Sequence, residues 1–350
     1  MTADGRRLGS ARSVAVLGAG SWGTTFAKIL ADAARASGDE RSIRLWGRRS
    51  EVVEEINSIH RNFQYLKDTP LPSSITASTI VREVLAGADL VVLAVPAQSL
   101  RLQLREWKPM IAPDAMVLSL MKGLELNTDA RMSEVISEEL GIPADRIAVV
   151  SGPNLALEIA REEPTASVVA CADSAAAGWI ARSCTAPYFR PYTTADVVGV
   201  EIGGIVKNVI ALAVGICEGK QMGDNTKASV ITRGLAETSR LALALGGEAR
   251  TMAGLAGLGD LVATCSSPLS RNHTAGRLLG EGLTLDEVAQ KMTQTAEGIK
   301  SGQAVHELAG KLGVEMPITA AVVAVLAGKL SVDQLGPLLL ARDLKPEGDY

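Results

Sequence analysis

The sequence predicts a two-domain α/β protein: a doubly wound sheet over residues 13–196, then an all-helical domain over 197–350. Three observations predict it. Short apolar runs alternate with turns and helical stretches as far as about Asp196. The first run leads straight into a glycine-spaced turn, Gly18-Ala19-Gly20-Ser21-Trp22-Gly23. Beyond Asp196 the β-branched runs nearly vanish, and alanine, leucine and glycine fill long helical stretches. A length of 350 residues also exceeds what one core usually occupies.

Taken in order, residues 1–12 are charged with no apolar run behind them, so they predict a flexible lead rather than a signal peptide. "SVAVL" predicts the first strand, and Phe26, Ile29 and Leu30 recur at helical spacing after the turn. "IRLW" is a second strand, followed by a polar helix from Glu51 to about His60. "DLVVLAVP" is apolar throughout, as a strand buried on both faces of a parallel sheet must be. "AMVLSL" and "RIAVV" repeat that pattern, each followed by a Gly, Ser or Pro turn. "TASVVAC" and "YFRPYTT" add strands at the far side, with a helix between them around Trp179. Helices are then expected at 197–218, 226–245, 274–281, 285–292, 297–312 and 319–329.

Composition excludes several functions. With aromatics at 3% and a net charge of −4, there is little to stack bases and no global basic field to hold nucleic acid. The four cysteines form no C-x-x-C pair and there are three histidines, so no metal site is expected. Buried thiols in a reducing, cytoplasmic compartment are the expectation. The stretch "VVGVEIGGIVKNVIALAVGIC" is about long enough to cross a bilayer, but Glu201 and Lys207 within it argue against a membrane span.

The glycine turn follows a strand and opens a helix, which is the context of a Rossmann-like dinucleotide site. Gly18 permits the tight turn, Gly20 leaves room for a pyrophosphate, and Gly23 allows close helix–strand packing. At the end of the second strand, where an NAD site usually has Asp or Glu, stand Arg48 and Arg49. Two guanidiniums suit a 2′-phosphate, so NADP(H) is favoured, with NAD(H) the alternative. Lys122 and the segment Ser151-Gly152-Pro153-Asn154 follow strand ends, where open α/β sheets bind ligands; Lys122 reads equally well as an exposed loop lysine. In the long apolar helix, Gly203 and Lys207 share a face, as do Gly204 and Asn208. Its aliphatic neighbours would desolvate Lys207 and lower its pKa toward acid/base use, although a snorkelling surface lysine fits the same pattern.

These residues, with "GAGSWGT", "LWGRR", "SLMKGLE", "SGPN", "GVEIGGIVKNVIALAVGI", "ITRGLAE", "GLAGLGDLVATC", "SRNHTAG" and "TAEG", resemble the bacterial NAD(P)-dependent glycerol-3-phosphate dehydrogenase family. The resemblance implies a cytoplasmic, often dimeric enzyme that reversibly reduces dihydroxyacetone phosphate to sn-glycerol 3-phosphate for phospholipid synthesis. It implies cofactor contacts at Ser21, Trp22, Arg48, Arg49, Tyr65, Lys122, Ala156, Arg271, Thr295 and Glu297. Gly152, Asn154, Lys122, Lys207, Asn208, Asp260, Ser270, Arg271 and Asn272 would line the substrate site, with Lys207 as proton donor and acceptor. Lys122 and Asp260 would complete the catalytic set, Asp260 orienting the lysine.

Two positions depart from the family pattern. Asn154 stands where many members carry Ser or Thr, and His273 where Arg is common; His273 otherwise reads as a solvent-facing loop residue. Ser270-Arg271-Asn272 reads equally as a phosphate grip and as an N-cap with its turn. The competing functions are a reductase of the same architecture acting on a small keto or hydroxy acid, and a non-catalytic NADPH-binding regulator. The donor cluster speaks against the first, and the lysines with Asp260 against the second.

Overall fold

The computed structural model describes residues 9–292 and 296–335. The chain divides into two compact units, Met1–Met121 with Arg131–Val197, and Lys122–Ala130 with Val198–Tyr350.

The first unit carries strands β1 (Ser13–Leu17), β2 (Ser42–Trp46), β3 (Ile75–Ser78), β4 (Leu90–Leu93), β5 (Met116–Ser119), β6 (Ile147–Ser151), β7 (Thr165–Cys171) and β8 (Phe189–Thr194). Its helices are α1 (Ser21–Ser37), α2 (Ser50–Ile59), α3 (Phe63–Leu66), α4 (Val81–Leu85), α5 (Leu100–Trp107), α6 (Met132–Leu140), α7 (Ala156–Ala160) and α8 (Ser174–Cys184). The strands form one sheet in the order β3-β2-β1-β4-β5-β6-β7-β8. The chain builds outward from β1 to β3 and then returns to β4 on the other side of β1. That reversal is the point where such sheets bind ligands, beyond the strands' carboxyl ends. All four residues of β4 and of β5 are buried, as parallel strands covered on both faces require.

Two features were not legible in the sequence. β3 is an edge strand of four residues, only one of them buried, so it has no apolar run to betray it. β7 runs antiparallel to β6, from Ala148↔Cys171 to Ser151↔Val168, and β8 is parallel to β7. The connection before β7 holds only the five-residue α7, too short to carry the chain back across the sheet for a parallel pairing.

The second unit holds α9 (Val197–Gly219), α10 (Asp224–Ala244), α11 (Ala249–Met252), a π-helical turn at Leu255–Gly259, α12 (Asp260–Ser266), α13 (Arg271–Gly280), α14 (Leu285–Lys291), α15 (Glu297–Lys311) and α16 (Pro317–Leu326). The span from Ala249 to Ser266 is the helical stretch that periodicity did not announce; its short turns are broken by glycines. By length and apolar composition α9 could cross a membrane, yet nearly all of it, from Gly199 to Cys217, is buried inside the fold. Ile202, Val206, Val209 and Ile210 form the centre of the second core, which also takes in Leu124. A Cβ on Gly276 of α13 would overlap the carbonyl oxygen of Leu212, so α9 and α13 pack backbone against backbone. Glu237 of α10 reaches the start of α16, accepting from the N–H groups of Ile318 (2.6 Å) and Thr319 (3.2 Å). Burial pushes this carboxyl up to about 7, against the pull of those backbone donors. All four cysteines are buried and free.

Candidate functional site

In the first unit the glycine turn has the geometry its spacing implies. Gly18 has φ +131°, and a Cβ there would overlap the Ala94 carbonyl just beyond β4. A Cβ on Gly23 would overlap the Gly18 carbonyl. At Gly20, by contrast, nothing lies within 4 Å of where a Cβ would sit. Gly20 is also the N-cap of α1, which has no side-chain cap and no acidic residue in its first turn. The turn therefore leaves open space beside a helix start whose dipole and leading N–H groups favour an anion. Ser21 is the first residue of α1. Trp22 packs edge-on against Phe26 at 5.7 Å, and its buried Nε1–H has no hydrogen-bond partner among the described residues. Together these fit a dinucleotide pyrophosphate.

Arg48 and Arg49 follow β2 and are both exposed. The Arg49 guanidinium lies 5.4 Å from the centroid of the Tyr65 ring, so α3 delivers Tyr65 to the arginine pair. Gly152, at φ +138°, lets the chain leaving β6 pass close to Ser167. Asn154 follows, and both polar atoms of its side chain are buried without a hydrogen-bond partner among the described residues. An unsatisfied buried amide is uncommon and fits a ligand contact. Ala156 opens α7, and its carbonyl accepts from Thr25 Oγ1 at 3.2 Å, which ties α7 to α1.

The second unit brings together the residues with acid/base chemistry. Lys122 leads the segment that groups with the helices rather than with the strand it follows. Its Nζ donates to Asp260 Oδ2 at 2.6 Å. Lys207 Nζ donates to the other oxygen, Asp260 Oδ1, and to Thr264 Oγ1 at 2.6 Å. Asp260 is 1% exposed and Lys207 8%, so one buried carboxylate serves two ammonium groups. The approach depends on Gly203, one turn before Lys207. A Cβ there would lie 2.5 Å from the Ala256 carbonyl oxygen of the π-helical turn. Any larger residue would push away the turn that leads into Asp260 at the start of α12. Burial pulls the Lys207 ammonium down to about 8; Asp260 opposes that pull and Lys122 adds to it.

Around this group, Asn272 Nδ2 donates to Asn208 Oδ1 at 2.9 Å, and Asn272 Oδ1 accepts the Gly298 N–H at 2.8 Å. Asn208 in turn donates to the Gly204 carbonyl at 3.3 Å. The two asparagines thereby lock α9, α13 and α15 in register. Ser270 caps α13, its Oγ accepting from His273 N–H at 3.2 Å, so the cap reading holds. Arg271 is exposed at the first position of α13. Burial raises the Glu297 carboxyl at the start of α15, while Arg271, Lys122 and Lys207 act on it in the opposite sense, which groups all four residues electrostatically. Thr295 lies outside the described residues.

One expectation fails outright. His273 is not solvent-facing: it is 5% exposed, and its Nε2 lies 3.0 Å from Glu218 Oε2 of α9. The close packing of α13 on α9 buries it. Two participants were missed. Thr264 stands four residues after Asp260 in "DLVATC", a spacing that one helical turn makes meaningful. Asn62, fully buried beside the glycine turn, carries no sequence signal of its own.

Residues 13–177 match the family model described as NAD-dependent glycerol-3-phosphate dehydrogenase N-terminus, and residues 196–336 match the one described as its C-terminus. The chain belongs to the NAD-dependent glycerol-3-phosphate dehydrogenase family. A relative in Thermobifida fusca, "Glycerol-3-phosphate dehydrogenase [NAD(P)+]", is 57% identical over 95% of this chain and 98% of its own length. A protein of the same name in Streptomyces griseus is also 57% identical, over 95% and 97%. Among solved structures, the glycerol-3-phosphate dehydrogenase of Coxiella burnetii has a TM-score of 0.88 at 37% identity, covering 95% of this chain and 99% of that one. The family's two halves correspond to the sheet-bearing part and the helical part of this chain, and its fold is the one described above.

Proposed function

We propose that this family member interconverts dihydroxyacetone phosphate and sn-glycerol 3-phosphate with NADP(H) or NAD(H), in support of glycerophospholipid synthesis. The observation that carries the reading is the cluster of Lys122, Lys207 and Asp260, in a chain matched by both halves of the family. Residues 13–196 are assigned to dinucleotide binding and 197–350 to catalysis, with Lys122–Ala130 counted with the latter.

A dinucleotide held by the glycine turn and the Arg48–Arg49 pair would supply the hydride that the ketone carbon receives. As negative charge grows on the carbonyl oxygen, the Lys207 ammonium stabilises it and yields a proton to it. In the reverse direction the neutral amine accepts the hydroxyl proton. Asp260 and Thr264 hold Lys207 Nζ in one orientation, and Lys122 adds a second positive charge beside it. Ser270, Arg271 and Asn272 are assigned to the phosphate, where a hydroxyl, a guanidinium and an amide suit a dianion at a helix start. Gly152 and Asn154 are assigned as further substrate contacts, supported by the unpartnered amide of Asn154. Gly18, Gly20, Ser21, Trp22, Gly23, Arg48, Arg49, Tyr65, Ala156 and Glu297 are assigned to the cofactor. A homodimer in the cytoplasm is part of the proposal, on the family resemblance alone.

The direct test follows NADPH absorbance with purified protein and dihydroxyacetone phosphate. Steady oxidation is expected. Its absence from a folded protein that binds NADPH would sink the enzyme reading. The arginine pair predicts the cofactor: Arg48→Asp should weaken NADPH by at least about tenfold, the order of one lost charge-assisted hydrogen bond. NADH binding should change much less. Equal losses for the two nucleotides, measured by calorimetry, would remove Arg48 from 2′-phosphate recognition.

A further inference from the structure

Asn62 is 0% exposed, and its side chain is aimed at the glycine turn. Its Nδ2 donates to the Ala19 carbonyl at 3.1 Å and to Thr24 Oγ1 at 2.9 Å. A carbonyl oxygen can only accept, so the Ala19 contact requires the amide nitrogen on that side, and the Thr24 hydroxyl accepts from the same nitrogen. The other end of the amide, Oδ1, is buried with no hydrogen-bond partner among the described residues. A buried acceptor left without a partner is unfavourable. The position therefore keeps an amide for what its donors do.

What they do follows from peptide geometry. The Ala19 carbonyl and the Gly20 N–H belong to one planar peptide unit, and the described chain has no cis bonds. Holding the Ala19 oxygen toward Asn62 points the Gly20 N–H in the opposite direction within that plane, away from Asn62. The second bond, to Thr24, pins the first turn of α1 to the same amide. Meanwhile the Asn62 main chain starts α3. Its carbonyl accepts the N–H groups of Tyr65 (3.1 Å) and Leu66 (2.8 Å). Tyr65 is the ring beneath the Arg49 guanidinium. One residue thus bonds to the turn proposed for the pyrophosphate through its side chain, and to the aromatic support of the arginine pair through its backbone.

We propose that Asn62 is a positioning residue that sets the register between the pyrophosphate turn and the Arg49–Tyr65 pair, and thereby the preference for a nucleotide bearing a 2′-phosphate. This rests on the dinucleotide reading of the first unit. A nucleotide spanning both features gains from the arginine only if the two are held at the right separation. NADH, with no 2′-phosphate, uses the turn alone and is less sensitive to that register.

The test is calorimetric titration of NADPH and NADH into wild type, Asn62→Ala, Arg49→Ala and the double variant. Asn62→Ala should weaken NADPH by about tenfold, the order of the two lost hydrogen bonds. NADH should weaken less, so that the NADPH:NADH affinity ratio falls. In the Arg49→Ala background the same change should weaken both nucleotides equally, since the register then has nothing to align. An Asn62→Ala protein that melts lower but keeps the wild-type ratio would overturn the proposal, because loss of stability alone leaves discrimination untouched. If Asn62→Ala does not fold, Thr24→Val removes one of its two acceptors and should lower the ratio in the same direction; an unchanged ratio there overturns it equally. Wild type that binds neither nucleotide would overturn the dinucleotide reading itself and this inference with it.

Discussion

Lys207→Met is expected to lower turnover by ~10²–10⁴-fold, the usual worth of a positioned general acid, while NADPH binding stays close to wild type. Methionine matches the length and apolar character of the lysine stem, so the core around Val206, Val209 and Ile210 keeps its filling. The proton and the positive charge are what it removes. The pH profile of the wild type provides an independent check. Burial brings Lys207 down to about 8, against the opposing pull of Asp260. On the proposed role of Lys207, reduction of dihydroxyacetone phosphate draws on the ammonium form, so its kcat/KM should fall as pH rises through about 8. Oxidation of glycerol 3-phosphate needs the neutral amine and should rise through the same window. Near-normal turnover in Lys207→Met, or a reduction rate that climbs with pH, would remove Lys207 from the proton-transfer step.

Asp260→Asn should do comparable damage by a different route. In the wild type one carboxylate with 1% exposure accepts from two ammonium groups, Lys122 at 2.6 Å and Lys207. The amide keeps the shape and at most one acceptor, but loses the charge that holds the two cations together. Breaking a buried ion pair by removing one member typically destabilises by about 3–5 kcal/mol, because the remaining charge is left uncompensated. Loss of Asp260 also removes what opposes desolvation at Lys207, so the ammonium should deprotonate at lower pH. The expected result is a lowered urea midpoint together with a reduction pH profile displaced to the acid side. A variant with wild-type stability and an unmoved profile would show that Asp260 neither anchors nor tunes the lysines.

Much of this was legible in the primary structure. The buried parallel strands β4 and β5 announced themselves because burial on both faces demands unbroken apolar runs. The glycine turn was legible because backbone overlaps at Gly18 and Gly23 leave no choice of residue. β3 was not, since an edge strand with three of its four residues incompletely buried has no such demand on it. Lys207 was visible as a lysine on an apolar helix, but pattern could not separate a buried group from a snorkelling one. The resemblance to a family tipped the balance. His273 was misread as exposed because a single histidine carries no periodic signal, and its burial follows from how closely α13 packs on α9.

The sequence by itself determined the class of the fold, the glycine turn, the arginine pair after β2 and the family. Each is encoded locally, in residues near one another along the chain, where periodicity and glycine sterics act. Only the tertiary structure decided which groups meet. Lys122 and Lys207 stand far apart in sequence yet share the Asp260 carboxylate, and Asn62 reaches back across 43 positions to hold Ala19. Their meeting depends on Gly203 admitting the backbone of a π-helical turn and on a short helix folding back onto α1. Such contacts are set by packing between distant segments, which the local pattern of residues does not record.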